Sequence, residues 1–329
     1  MAMMQSTFEP TQTQPIFVVP LTSQTKSEIP HKADSYIIYD FVDSETSDAL
    51  FYELLNNEIK WGRMFHHGGP VPRLVCIQSE PDDAGWSPLY RHPTDPDTSS
   101  LTISQTFSKS VKFIGDIIQK QVKHPLNHVL IQLYRDGEDF ISEHADKTVD
   151  IVPGSNIVNF SLGAERTIVL REKKGRKNHD AGRTMPLPRM SQRVGLKHGS
   201  LLVMGLRTNK FCTHEIKPDK RPLGQKTVDQ MKFDGVRISL TFRYVGTFVY
   251  PDIHMPVLLY GIGATSKTRN NPARAVPVSD EDGVGRRQAV ELLKAFSDEN
   301  RLAGEFDWSA SYGNGFDVVE LPAVTSELI

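Results

Sequence analysis

The first 34 residues show no sustained alternation of polar and apolar positions. They are rich in Thr, Gln, Pro and Ser and read as a disordered leader with one short extended piece at 16–20. Order is expected from Tyr36, where Tyr-Ile-Ile-Tyr reads as a strand. Asp43 or Ser44 can then cap a helix whose Leu50, Phe51, Leu54, Leu55 and Ile59 recur at helical spacing. Residues 61–100, dense in Gly, Pro and Asp, read as loop. A second amphipathic helix follows, with Phe107, Val111, Ile114, Ile118 and Val122 on one face, and stops at His124-Pro125.

From Asn127 the period shortens to two. Strands are expected at 128–134, 157–161, 167–171, 200–205 and 236–245, separated by Gly, Pro and Asp turns with no helical period between them. That succession predicts a mainly β protein with flanking helices, an antiparallel sandwich or barrel. The polar, basic stretch 172–197 reads as a loop. After Pro251 comes an extension with one helix near 288–296 and a closing segment at 306–319, whose Phe306, Trp308, Tyr312 and Phe316 read as a packing clamp. The chain thus divides into a leader (1–34), an N-terminal helical region (35–126), a β core (127–250) and a C-terminal extension (251–329).

Charge changes this picture only through its distribution. The formal net charge is −2, but residues 166–243 hold 19 basic and 6 acidic side chains, whereas the first 165 hold 12 and 22. A basic middle can face a polyanion, or be a solvated loop surface. Two cysteines, Cys76 and Cys212, exclude a disulfide framework and a Cys-based zinc site. No run of 18 apolar residues exists and the N-terminus lacks a signal-peptide pattern, so an intracellular, cytoplasmic or nuclear monomer with no membrane partner is expected.

The chemistry-bearing residues lie in the β core. In His144-Ala145-Asp146 an extended backbone would aim an imidazole and a carboxylate to the same side. A second imidazole from a distant strand would complete a two-His, one-carboxylate triad, which leaves positions on Fe(II) open for a co-substrate and O₂. His214, after the apolar strand at 201–204, is the best candidate; His198 opens a turn and His179 lies in the polar insert. The segment 237–243 alternates strictly, Arg237, Ser239, Thr241 and Arg243 against Ile238, Leu240 and Phe242. Two arginines spaced by hydroxyls suit a dicarboxylate, although an amphipathic strand with exposed arginines would alternate in the same way.

His-x-Asp, a distant His and Arg-x₅-Arg, in that order and on expected strands, resemble the AlkB family of Fe(II)/2-oxoglutarate dioxygenases. The resemblance runs from about 127 to 244 and includes Tyr134-Arg135-Asp136-Gly137, Ser161-Leu162-Gly163-Ala164 with Arg166, and His198-Gly199-Ser200-Leu201-Leu202. It implies a double-stranded β-helix (jelly roll), with the preceding region serving as a substrate lid. It further implies His144, Asp146 and His214 as iron ligands, Arg237 on the distal carboxylate of 2-oxoglutarate, Tyr134 hydrogen-bonded to that co-substrate, and Arg243 near its keto-acid end or the substrate. Two positions depart from the family. Gln132 stands where an Asn is common, and Thr148 stands where nucleobase-directed members carry an acid, with Asp150 the nearest carboxylate.

In the lid region Pro72-Arg73, Trp86, Tyr90, Arg91 and His92 offer aromatic and cationic groups that suit a flipped base, another flat molecule, or plain packing. The leading expectation is oxidative demethylation or hydroxylation of an N-alkylated nucleobase in DNA or RNA. A small metabolite is the rival substrate, favoured by Thr148, and a non-catalytic jelly-roll binding protein is a third reading. The run from Gly261 to Thr268 superficially suggests a phosphate loop, but Ser266 stands where a glycine should precede Lys267, and it is rejected.

Overall fold

The computed structural model describes residues 13–16, 34–66, 69–92, 105–173, 189–250, 257–279 and 282–321. The chain begins with β1 (Thr13–Ile16), β2 (Ser35–Ile38), α1 (Ser44–Glu53), β3 (Gly62–His66), β4 (Gly69–Ser79), β5 (Ser87–Pro88) and α2 (Lys109–Val122). There follow β6 (His128–Tyr134), β7 (Ile141–His144), β8 (Asn156–Gly163), β9 (Arg166–Glu172), β10 (Ser191–Leu196), β11 (Ser200–Gly205), the short α3 (Leu206–Phe211) and β12 (Cys212–Ile216). After α4 (Val228–Met231) come β13 (Arg237–Arg243), β14 (Thr247–Tyr250), β15 (Leu258–Gly261), β16 (Ala273–Arg274), α5 (Val284–Arg301) and α6 (Trp308–Tyr312).

The strands make a major sheet in the order β1-β2-β11-β8-β13-β6-β4-β3 and a minor sheet in the order β10-β9-β12-β7. From β6 to β13 the chain passes back and forth between the two sheets, and all ladders are antiparallel. This is the double-stranded β-helix. A third, small sheet, β16-β15-β14-β5, stands beside it.

The period-two pattern sorts side chains onto the two faces of the major sheet. Val129, Ile131 and Leu133 of β6, Val158, Phe160 and Leu162 of β8, and Ile238, Leu240 and Phe242 of β13 form one core with Leu50, Phe51 and Leu54 around α1 and with Val111, Ile114 and Ile118 of α2. The alternate residues face the minor sheet. There Tyr134, Ile157, Leu202 and Met204 meet Ile168, Leu170, Val194, Leu196 and Ile216. Arg237, Ser239 and Arg243 are buried too, at 0%, 1% and 3% exposure, so the polar face of β13 looks into the protein rather than into water.

α1 begins and α2 ends at the signals read in the sequence. The Asp43 carboxylate accepts from the Thr46 amide at 2.9 Å and caps α1. Lys123, at φ 59°, turns the chain out of α2 just before His124-Pro125. The largest departure from the sequence reading falls in 61–100, expected as loop, which holds β3, the eleven-residue β4 and β5. The stretch 172–197, also expected as loop, ends in β10, and β1 of the leader pairs with β2. The extension is more ordered than one helix. It adds β15 and β16, and α5 covers eighteen residues, packed by Phe306, Tyr312, Phe316 and Val318 into a third apolar cluster. Among the described residues no helix is long and apolar enough to cross a membrane.

Candidate metal and co-substrate centre

β7 ends at His144, whose cross-strand partner is His214 of β12, and the two rings lie 4.2 Å apart by their centroids. Asp146 follows β7 by two residues, in a loop, and is 4% exposed. Its Oδ1 lies 3.8 Å from His144 Nε2 and 3.6 Å from His214 Nε2, and one ligand atom from each of the three side chains falls within a 4.8 Å group. The sequence-predicted triad is therefore brought together. His198 belongs elsewhere: it accepts from the Gly163 amide at 2.8 Å and meets Asp48 at 3.1 Å. His179 lies outside the described residues.

The protonation states suit a cation. Burial, and after it His214, lowers the His144 pKa to about 3, and burial likewise lowers that of His214, so both imidazoles are neutral at physiological pH. Since a carbonyl can only accept, the 2.8 Å contact of His144 Nδ1 with the Ser142 oxygen leaves the lone pair on Nε2. For Asp146, burial favours the neutral acid, but the charge and hydrogen bonds of Arg243 overcome it and hold the carboxyl well below its ordinary range. Arg243 donates to Oδ2 from Nε at 2.9 Å and Nη2 at 2.6 Å, which leaves Oδ1 to the histidine side. One ionised carboxylate oxygen and two neutral imidazole nitrogens form a donor set suited to a divalent transition metal.

Arg237 sits on the same face of β13. Its Nη2 donates to Ser161 Oγ at 2.9 Å and approaches Asn159 Oδ1 at 3.3 Å, while Nε and Nη1 meet no acceptor. Burial lowers its pKa to about 10, and it stays charged. Its guanidinium lies 5.1 Å from the centre of the Tyr134 ring, with that of Arg166 5.7 Å away. A buried cation with unused donors fits a small anionic ligand such as a carboxylate. Gln132, on β6 opposite Ser239, has its amide 2.7 Å from Arg73 Nε, and with the amide turned so that its oxygen faces Arg73 it accepts from that nitrogen. A cavity of about 60 Å³ touches Gln132, Tyr134, Asn159 and the triad.

The three lid candidates separate. Tyr90 reaches the centre: its ring lies 4.3 Å from the Arg243 guanidinium and its hydroxyl accepts from the Lys147 amide at 3.2 Å. Arg73 is on β4, 6% exposed, held by Gln132 and by the Phe140 carbonyl at 3.0 Å. Trp86 is packed against Tyr250 and Tyr260 of the third sheet. Arg91 does not reach a lid either, because Asp150 engages it in a fully buried ion pair. Asp150 is therefore not free to serve Thr148. The carboxylate that Thr148 does meet is Glu299 of α5, which accepts from both its amide and its hydroxyl.

Sequence reading missed Asn159, whose amide donates to Ser239 Oγ at 2.7 Å and Thr241 Oγ1 at 2.9 Å. A signal was available, since Asn159 and Ser161 alternate with Val158, Phe160 and Leu162 as the β13 arginines do with their apolar neighbours. It also missed Asn209, which exchanges two 2.9 Å bonds with the Asp146 backbone and has no local pattern to mark it. Lys267 of the rejected phosphate loop spends its ammonium on the carbonyls of Ile262, Ala264 and Asn314.

The chain is 33% identical over 148 residues to the human DNA oxidative demethylase ALKBH2, an alignment covering 45% of this chain and 51% of that protein. The bovine protein of the same name is 32% identical over 148 residues, 45% of this chain and 48% of its own length. The Arabidopsis thaliana protein of that name is 29% identical over 238 residues, 68% of this chain and 70% of its own. The chain thus spans about half the length of the mammalian relatives it matches. Residues 34–243 match the model of the 2OG-Fe(II) oxygenase superfamily, a segment that includes all three triad residues and both arginines of β13. With more than half its length in that match and a double-stranded β-helix around the triad, the chain belongs to the 2OG-Fe(II) oxygenase superfamily.

Proposed function

We propose that this protein is an Fe(II)- and 2-oxoglutarate-dependent dioxygenase that oxidatively removes alkyl groups from nucleobases in DNA or RNA. One observation carries the reading: two neutral imidazoles and an ionised carboxylate converge within 4.8 Å, in a sandwich that also buries an arginine with unused donors. When bound, iron and 2-oxoglutarate supply O₂ activation, with the co-substrate leaving as succinate and CO₂ while one oxygen atom enters a substrate C–H bond.

The residues of the chain hold and orient these groups. His144 Nε2, Asp146 Oδ1 and His214 Nε2 are the metal ligands, three protein donors that leave other positions open. Arg243 occupies the second oxygen of Asp146 and so fixes which one faces the metal. Arg237, whose Nε and Nη1 have no partner in the chain, would hold the distal carboxylate of 2-oxoglutarate, with Tyr134 beside it and Gln132 facing Arg73. Tyr90 stacks on Arg243 and so backs the Asp146 ligand. On an N-methyl group the product is an N-hydroxymethyl base, which releases formaldehyde without further catalysis.

The nucleobase substrate is supported by the similarity to DNA oxidative demethylases. The two cysteines are both buried and free, which suits a reducing, cytoplasmic or nuclear setting. The test is succinate formation by anaerobically purified protein given Fe(II), 2-oxoglutarate and air, with and without a methylated oligonucleotide. Strong stimulation with formaldehyde release is expected. Uncoupled succinate without stimulation would move the substrate to a small metabolite, and no succinate at all would return the chain to a binding role.

A further inference from the structure

The loop that carries Asp146 has an unusual way of satisfying its backbone. Four successive amides, from Ala145 to Thr148, each donate to a side chain. Ala145 donates to Asn300 Oδ1 at 2.6 Å, Asp146 to Asn209 Oδ1 at 2.9 Å, Lys147 to the Tyr90 hydroxyl at 3.2 Å, and Thr148 to both oxygens of Glu299 at 3.2 Å. Two of these four acceptors stand on the last turn of α5, far outside the family-matched segment 34–243. Two lysines return the contact. Lys147 Nζ donates to the Phe296 carbonyl at 3.0 Å and Lys173 Nζ to the Glu299 carbonyl at 2.6 Å, so cations meet the carbonyl end of the helix. Glu299 is itself 4% exposed and held by the Tyr312 hydroxyl at 2.5 Å, which ties the clamp to α6.

We infer that the C-terminal end of α5 is a positioning element of the metal centre, with Asn300 and Glu299 as positioning residues that set the backbone of the Asp146 loop. The inference rests on the assignment of His144, Asp146 and His214 as ligands. An extended loop between two ligands has no ladder to fix it; here side chains do what a neighbouring strand would otherwise do. Losing Asn300 frees the amide between His144 and Asp146, and with it the spacing of the two donors. The extension is thereby part of the oxygenase site rather than an appendage to it.

The experiment is titration of the metal-free full-length protein with Co(II), read by its visible ligand-field spectrum, for the wild type, Asn300→Ala, Asn300→Asp, Glu299→Ala, Phe306→Ala and Asp146→Ala. Asn300→Ala is expected to weaken binding about 10- to 100-fold, the usual effect of removing a partner that orients a ligand, and to change the spectrum. Asn300→Asp keeps the acceptor and should restore affinity. Phe306→Ala loosens the cluster around α5 while keeping every acceptor of the four loop amides, so it should lower the melting temperature and leave affinity unchanged. If Phe306→Ala weakens Co(II) as much as Asn300→Ala at equal loss of melting temperature, the extension acts only through general stability and the inference fails. It also fails if Asn300→Ala and Glu299→Ala both bind like the wild type while Asp146→Ala does not. Unchanged binding in Asp146→Ala would instead overturn the ligand assignment. Should Asn300→Ala not fold, faster amide exchange at Thr148 in Glu299→Ala, which removes the acceptor, carries the same decision: protection equal to the wild type overturns the inference.

Discussion

Arg237 and Arg91, the two most deeply buried arginines among the described residues, use their donors in opposite ways. At the junction of the β core and the extension, Arg91 spends all five. Nε and Nη2 clasp the Asp150 carboxylate at 3.1 and 2.7 Å, Nη2 also reaches the Gly263 carbonyl, and Nη1 meets those of Phe316 and Val318. Inside the sandwich Arg237 uses Nη2 alone. Burying a guanidinium costs several kcal/mol unless it is paired and bonded. Arg91 offsets that cost within the chain. Arg237 does not, and a buried cation left with unused donors is stabilised only when a ligand arrives. The same residue type is thus a staple in one region and a receptor in the other, and the difference is read from its unpaired atoms.

The comparison breaks most easily at the staple. Arg91→Met would strand the Asp150 charge and three carbonyls in the interior, and a loss of about 3–5 kcal/mol in urea-unfolding stability is expected. Arg237→Met should behave in the opposite manner. It removes an incompletely satisfied charge, so ligand-free stability should stay level or rise. Affinity for 2-oxoglutarate, followed by calorimetry, should fall at least about 100-fold, or roughly 3 kcal/mol, for the lost charge-assisted bonds. A destabilised Arg237→Met protein with unchanged 2-oxoglutarate affinity would erase the distinction.

Arg243 is intermediate, because its partner is a ligand. With Nε and Nη2 on Asp146, Arg243→Met should weaken metal binding about 10- to 100-fold. The sign with pH follows from Asp146, whose folded pKa Arg243 depresses. Without Arg243 that pKa rises, so the loss of metal affinity should begin at a higher pH as the solution is acidified. An unshifted pH profile would mean that Arg243 does not govern the carboxylate.

How much of this was legible depends on what each feature needs. The alternation of 237–243 exposed both β13 arginines, since a strand in a closed sandwich must sort its residues onto two faces. The same rule located β6, β8 and β11. β4 was hidden by Pro70 and Pro72, which argue against a central strand. Both prolines precede Leu74, where pairing with β6 starts, and Pro72 falls at the register shift against β3, so neither breaks the ladder that matters. The part played by α5 was illegible for another reason. Asn300 and Glu299 meet the Asp146 loop across about 150 residues of sequence through side-chain hydrogen bonds at isolated positions, which leave no periodic trace. Trp86 had a lid-like composition around it, but composition cannot say that Tyr250 and Tyr260 would claim it.

A third arginine setting supplies the smallest effect and calibrates the other two. On the outer side of the minor sheet Glu143 is shared by Arg189, at 2.5 Å, by Arg171, and by the Thr213 hydroxyl at 2.7 Å, with the charged side chains about a quarter exposed. Water competes for these groups, so Arg189→Ala should cost less than about 1 kcal/mol at neutral pH and less still in high salt. Burial alone would raise the Glu143 pKa, but Arg189, Thr213 and Arg171 together lower it to about 2. A group whose folded pKa is depressed contributes stability that is present above its unfolded value and lost as the pH falls through the folded one. The gap between wild type and Arg189→Ala should therefore be constant above pH 5 and close between about pH 4.5 and 2. Melting curves over that range decide it. A gap as large as that of Arg91→Met, or one that persists at pH 2, would show that exposure does not separate these arginines as argued.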